Sequence, residues 1–166
     1  MPGMYAETDE LIELTKVIKP YNVPYMSHIR SESTKLIEAI EEELQIARTC
    51  GVSCQVAHHK ALGRSNWWKI DESLKLLDTA RAEGIDVTVD LYPYPLSTAM
   101  LRSLLPPWAL EGGIEAMAAR LADPVTRARV REEILDDKNV NNTWRDSGGA
   151  AGVYAMEAPL TPQYEG

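Results

Sequence analysis

The sequence is poor in the features that would support a disulfide framework, a membrane span or a nucleic-acid surface. Its two cysteines, Cys50 and Cys54, flank an expected helix-to-strand turn. A disulfide at that spacing is disfavoured, and a cysteine-only metal site lacks partners. Both therefore read as buried thiols of a cytoplasmic protein. No apolar run approaches the roughly 18 residues that a membrane helix needs, so no membrane is expected as a partner. Met1-Pro2-Gly3-Met4 has no basic region leading into an apolar core, so no secretory signal is expected. Basic residues are few: 17 Lys and Arg against 25 Asp and Glu leave a net charge of −8. Recognition of a phosphate backbone relies on clustered cations, and here they are scattered, so nucleic acid is not expected either. The 45% hydrophobic and 25% charged content of the 166 residues is that of an ordinary soluble globular protein.

Periodicity organises the first 95 residues. Acids at Thr8-Asp9-Glu10 precede a helical stripe of Leu11, Leu14, Thr15 and Ile18, which Pro20 stops. Residues 23–29 read as a strand with Met26 and His28 on one side and Tyr25 and Ser27 on the other. Ser31 or Ser33 caps a helix bearing Ile37, Ile40, Leu44 and Ala47. Its acidic stripe Glu41-Glu42-Glu43 reads as a solvated face, and Gly51 ends it. Residues 52–58 form a second expected strand, with Cys54, Val56 and His58 sharing a face. Asp71 caps a helix carrying Leu74, Leu77, Ala80 and Arg81, and a third strand spans 85–91. Helix and strand alternating at about thirty residues predict parallel β/α units.

Beyond Tyr94 the rhythm breaks. Leu104-Leu105-Pro106-Pro107-Trp108 and Glu111-Gly112-Gly113 read as a surface excursion, followed by helices over 114–121 and 124–135 and a brief strand over 153–156. Two segments are expected: a partial barrel over 1–95 and a helical or irregular, lid-like insertion over 96–166. Gly148-Gly149 lacks the strand-to-helix context of a phosphate loop.

Pro2-Gly3-Met4-Tyr5-Ala6, Ser27-His28-Ile29-Arg30, His58-His59-Lys60, Asp90-Leu91-Tyr92-Pro93-Tyr94, Leu105-Pro106-Pro107-Trp108 and Trp144-Arg145-Asp146 occur in a set order. In that order and spacing the chain resembles the D-aminoacylase (N-acyl-D-amino-acid deacylase) branch of the amidohydrolase superfamily. The resemblance implies an α/β fold, a partial (β/α)8 TIM barrel of about three β/α units with parallel strands, plus a mostly helical insertion. It implies a zinc cofactor and a small-molecule substrate, an N-acyl-D-amino acid whose amide is hydrolysed. It also implies a fragment. The His-x-His of the family's first strand and its ligand cysteine have no counterpart here, and its general-base aspartate would lie beyond Gly166.

Zinc prefers imidazole and thiolate ligands and keeps one position open in hydrolytic sites. Histidines ending adjacent parallel strands stand roughly 5 Å apart at the backbone, within reach of one ion. Strand alternation points His28 and His58 the same way as Met26, Cys54 and Val56. From the residues alone they read either as a metal pair or as hydrogen-bonded strand-end histidines. The resemblance makes them the zinc ligands of two adjacent barrel strands. Arg30 and Lys60 lie two residues beyond them and read either as substrate-facing cations or as solvated loop charge. The resemblance places Lys60 and Tyr92 against the substrate. His59 reads as supporting or structural, and Asp90 as a carboxylate orienting a neighbour. Trp67, Trp68 and Trp108 line an acyl pocket or pack in surface loops.

The expectation is a piece of a zinc-dependent deacylase, inactive or weakly active alone. Two alternatives stand beside it: a non-catalytic half-barrel that self-associates into a homo-oligomer through unpaired strand edges, and a small doubly wound domain binding an anionic metabolite.

Overall fold

The computed structural model describes residues 5–136, 142–156 and 163. Pro2-Gly3-Met4 of the first motif, and parts of the segments expected over 139–152 and at the C-terminal end, lie outside the described residues. The chain divides into two compact units, Met1–Tyr94 and Pro95–Gly166.

In the first unit, α1 (Thr8–Lys16), β1 (Tyr25–Ser27), α2 (Leu36–Cys50), β2 (Cys54–Val56), α3 (Lys69–Ala82) and β3 (Val87–Val89) follow one another. The strands form a parallel sheet in the order β1-β2-β3. α2 is the central element. Leu36, Ala39, Ile40, Leu44 and Ala47 recur at helical spacing and pack with Cys54, Val56, Leu77, Ala80 and Val87 into one core. Leu36 and Ile40 are fully buried, each worth about 1.5–3 kcal/mol of transfer free energy. The other flank of α2, Ile46 and Cys50, meets Ile12 of α1. α2 ends where Gly51, in the left-handed region at φ 63°, donates its N–H to Ala47 O at 2.8 Å.

α2 and α3 share one core with Cys54, Val56 and Val87, so both cover the same face of the sheet. In register, Tyr25, Cys54 and Val87 point to that face, and Met26, Gln55 and Thr88 to the other. Met26 is 58% exposed, and neither core cluster of this unit includes Met26, Gln55 or Thr88. Sequential strand order with helices on one face suits part of a barrel wall. A doubly wound sheet carries helices on both faces.

Several expectations need correction. The faces do not run as alternation suggested, because Met26 pairs with Gln55 and stands opposite Cys54 and Val56. Glu43 is not solvated but 2% exposed, since it lies three residues after Ile40 and four before Ala47 on the sheet-facing stripe. α1 buries Ile12 and Thr15 and leaves Leu14 60% exposed. α3 begins at Lys69, two residues before its expected cap Asp71. No side chain caps α2 at Lys35, although Ser31 Oγ accepts from Ser33 N at 3.3 Å and Lys35 N at 3.4 Å.

In the second unit, a 3-10 turn over Leu101–Leu104 precedes α4 (Pro107–Leu110), α5 (Gly113–Ala122), α6 (Pro124–Leu135) and α7 (Thr143–Asp146). Asp123 caps α6 by accepting from Thr126 N at 2.8 Å, and Asn142 caps α7 by accepting from Arg145 N at 3.0 Å. The brief strand expected over 153–156 is an isolated bridge at Ala155.

Candidate metal centre

The sheet continues past its assigned strands as a set of turn hydrogen bonds. Ala57 N donates to Ser27 O at 3.1 Å, Asp90 N to Val56 O at 3.2 Å, and His59 N to Asp90 O at 2.9 Å. This brings the residues after all three strands to one level. His28 continues β1 on the side of Met26. Strict alternation would send His58 to the side of Val56, beneath the helices. It does not go there, because His58 sits in the left-handed region at φ 40°, a conformation non-glycine residues adopt only when their surroundings hold it. Asp90 holds it. Its Oδ1 accepts from His58 N at 2.6 Å and its Oδ2 from Gln55 Nε2 at 2.7 Å. Those two donors keep the Asp90 carboxyl below the usual carboxylate range.

The redirected His58 ring stacks on His28 with centroids 4.4 Å apart and planes at 26°. His28 Nδ1 and His58 Nε2 are in direct contact. The other His58 nitrogen, Nδ1, lies 2.6 Å from Glu32 Oε1, and the same oxygen takes Lys60 Nζ at 2.7 Å. Lys60 Nζ is also 2.9 Å from His58 Nδ1 and 5.3 Å from the centre of the Tyr92 ring. Tyr92 stands edge-on to His58 at 6.3 Å.

His28, His58, Lys60, Tyr92 and Asp90 are therefore brought together. Arg30 turns aside: its Nε and Nη2 donate to Glu42 at 2.9 and 2.8 Å, and Nη2 also to Ala6 O at 2.9 Å. That pairing raises the Arg30 pKa and lowers that of Glu42. His59 is buried against α3, with Nε2 2.9 Å from Ser73 Oγ, and burial lowers its pKa. Trp67 and Trp68 are exposed, under Arg64 at 5.4 Å and Lys69 at 5.5 Å. In the second unit Trp108 donates Nε1–H to Glu133 at 2.8 Å and lies beneath Arg129 at 4.1 Å.

Sequence reasoning missed two carboxylates here. Glu32 is legible only once the loops after β1 and β2 are known to meet; it follows Arg30 by two positions, as Lys60 follows His58. Glu43 backs β1, where its Oε2 accepts from Ser27 Oγ at 2.6 Å and its Oε1 has no partner among the described residues. Burial pushes its pKa up to about 7.

As a donor set for zinc, the pair fits two positions of a tetrahedral shell. Among the described residues no group of three or more His, Cys, Asp or Glu is placed to hold a metal ion. Cys54 cannot add to it: it faces the helices, and burial raises its thiol to about 12. A cavity of about 630 Å³ between Lys19, Arg48, Gly51, Glu83 and Asp86 lies before the strands begin, at the opposite end of the sheet from the imidazoles.

Paired imidazoles ending adjacent parallel strands define a candidate metallohydrolase site, and comparison with known proteins narrows the class. No family model matches the sequence. The N-acyl-D-glutamate deacylase of Alcaligenes xylosoxydans xylosoxydans is 39% identical over 100 residues, 60% of this chain and 20% of that protein. A crystal structure of N-acyl-D-glutamate deacylase from Bordetella bronchiseptica, complexed with zinc and a phosphonate mimic of the tetrahedral intermediate, superposes with a TM-score of 0.55 at 38% identity. It covers 57% of this chain and 20% of that one. A D-aminoacylase structure from work on its binuclear metal centre superposes with a TM-score of 0.59 at 29% identity, over 80% of this chain and 30% of that one. The curated homologues and structural neighbours are thus N-acyl-D-glutamate deacylase and D-aminoacylase, of the amidohydrolase family, over about 60% of this chain. The chain spans about 20% of the length of the curated relative it matches.

Proposed function

We propose that this chain carries part of the active site of a zinc-dependent amidohydrolase acting on the amide of N-acyl-D-amino acids, in the cytoplasm, as one stretch of a (β/α)8 barrel wall followed by a lid-like helical insertion. The observation that carries the reading is the contact of His28 Nδ1 with His58 Nε2 at the ends of adjacent parallel strands, in a chain that is 39% identical over 100 residues to an N-acyl-D-glutamate deacylase.

In this reading His28 and His58 hold zinc. When bound, zinc supplies Lewis-acid polarisation of the amide carbonyl and activation of water. Lys60 is a compact cation beside the imidazoles, suited to the α-carboxylate of the substrate. Tyr92 presents its hydroxyl-bearing ring on the same side. Arg30, the third member of the substrate-binding set, would have to exchange its two hydrogen bonds to Glu42 to reach a substrate. Asp90 and His59 support the site by fixing the backbone of the β2 turn and its seat on α3. Asp90 is committed to two donors, so it is not poised as a general base. Two imidazoles leave half of a tetrahedral zinc shell unfilled.

The isolated chain is expected to bind zinc measurably, to lose that binding in His28→Ala and His58→Ala, and to hydrolyse N-acetyl-D-glutamate poorly or not at all. Calorimetric zinc titration with a hydrolysis assay tests both points. Zinc binding unaffected by either substitution would refute the metal assignment, and enzyme-like turnover would refute the fragment reading.

The open face through Met26, and the edges of β1 and β3, favour a second reading in which copies of the chain self-associate. A solution mass equal to that of one chain would refute it.

A further inference from the structure

We propose that Glu32 is a positioning residue: its Oε1 accepts the His58 Nδ1 proton, leaving the lone pair on Nε2 aimed at His28, and the same oxygen anchors Lys60. The proposal rests on the metal-clamp reading of His28 and His58, and it adds what makes His58 competent for that role. Nothing in the chain's motifs singles out Glu32; the geometry does.

A neutral imidazole carries one proton, so only one of its nitrogens can ligate. The neighbours of His58 decide which. Nδ1 has two of them: Glu32 Oε1 at 2.6 Å and Lys60 Nζ at 2.9 Å. A carboxylate only accepts and an ammonium only donates, so the two demand opposite tautomers. If Lys60 donated to Nδ1, the ring lone pair would already be used. The Glu32 oxygen 2.6 Å away would then approach an unprotonated nitrogen, acceptor against acceptor, with no proton between them. If Nδ1–H donates to Glu32, the short contact becomes a charge-assisted hydrogen bond. Lys60 Nζ is also served in that arrangement, because it donates to Glu32 Oε1 at 2.7 Å and to His58 O at 3.1 Å. Of the two neutral tautomers, this one gives the 2.6 Å contact its proton and leaves Lys60 Nζ beside Nδ1 by proximity, held by its bonds to Glu32 Oε1 and His58 O.

The backbone holds Glu32 in place. Leu62 N donates to Glu32 O at 2.7 Å, tying the loop after β1 to the loop after β2. Glu32, His58 and Lys60 have side chains only 21%, 26% and 20% exposed, so water competes weakly for these bonds. A carboxylate behind a ligating histidine fixes the ring and raises its basicity, and removing such a partner typically lowers metal affinity 10–100-fold.

The arrangement predicts an inversion. Without Glu32, Lys60 is the remaining neighbour of Nδ1 and donates to it, so the ring proton moves to Nε2, the nitrogen facing His28. In Glu32→Ala the tautomer should switch, and zinc affinity should fall about 10–100-fold. In Lys60→Met the Glu32 bond remains, so the Nδ1–H tautomer should persist.

The test is long-range 1H–15N correlation of the His58 ring in the zinc-free whole chain at pH 8, with zinc calorimetry on the same samples. The wild type should show a protonated Nδ1 and a bare Nε2, and Glu32→Ala the reverse. Glu32→Leu, which removes the acceptor and keeps the bulk, gives the second variant should Glu32→Ala fold poorly; it too should move the proton to Nε2. A wild-type spectrum with the proton on Nε2, or a tautomer unmoved in both Glu32 variants, would overturn the proposal. The metal reading fails separately. If the wild type binds no zinc yet the tautomer inverts as stated, the Glu32 role stands and the zinc assignment falls.

Discussion

Glu43 offers a quantitative check on how α2 seats against the sheet. It is 2% exposed, with one oxygen accepting from Ser27 Oγ at 2.6 Å and the other without a partner among the described residues. Burial moves its pKa from an ordinary 4.5 to about 7. At about 1.4 kcal/mol per pH unit, that gap corresponds to about 3 kcal/mol. The sign follows from proton counting. Between 4.5 and about 7 the folded chain keeps a proton that the unfolded chain has released, so stability falls as pH rises. The contribution is full below about 4.5, is lost as pH rises through about 7, and then levels. The groups around Glu43 are Glu42 on its own helix, which adds to the shift, Tyr25 and Ser27 on β1, and Cys54 on β2. His59 works the other way. Its pKa is lowered from 6.5, so its contribution is present above about 6.5 and is lost as pH falls.

The overlap of these windows makes the wild-type slope ambiguous and the variant difference decisive. Glu43→Gln keeps an acceptor for Ser27 and removes the titration, while Glu43→Leu removes both the titration and the partnerless oxygen. Urea denaturation followed by circular dichroism at pH 5 and pH 8 gives the stability of each. Relative to wild type, both variants should gain about 3 kcal/mol on going from pH 5 to pH 8. A difference that does not change with pH would refute the seating of Glu43 in the core.

Two further expectations concern the same unit. Leu36→Ala and Ile40→Ala each empty a fully buried site between α2 and the sheet and should destabilise by about 2–5 kcal/mol in chemical denaturation; a loss below about 1 kcal/mol would place α2 elsewhere. Ser73 Oγ donates to Ile70 O at 2.9 Å and so must accept the His59 Nε2 proton. Ser73→Ala should therefore strand a buried imidazole N–H at about 1–3 kcal/mol, measured in the same way.

The alternation of helix with parallel strand was legible because α2 and α3 carry helical stripes and glycines at 51 and 84 punctuate the chain before β2 and β3. Helical stripes were read less well where a polar residue belonged to one: Glu43 and Ser73 occupy core positions that hydrophobicity alone assigns to solvent. The register of a parallel sheet depends on where neighbouring strands begin, which no single strand encodes, and so Met26 was placed with Cys54 when its partner is Gln55.

The site shows the limit most clearly. Simple alternation along β2 would have buried His58 beneath the helices and separated it from His28. The two rings meet because His58 takes φ 40°, and it can do so because Asp90, from the next strand, accepts its N–H while Glu32, from the previous loop, takes its Nδ1. Neither partner is local in sequence. The motifs singled out His28 and His58 as candidates, whereas the geometry that brings their rings together is produced by two carboxylates on either side of β2. A sequence that kept both histidines but lost Asp90 and Glu32 would retain the motif and lose the contact between the two rings.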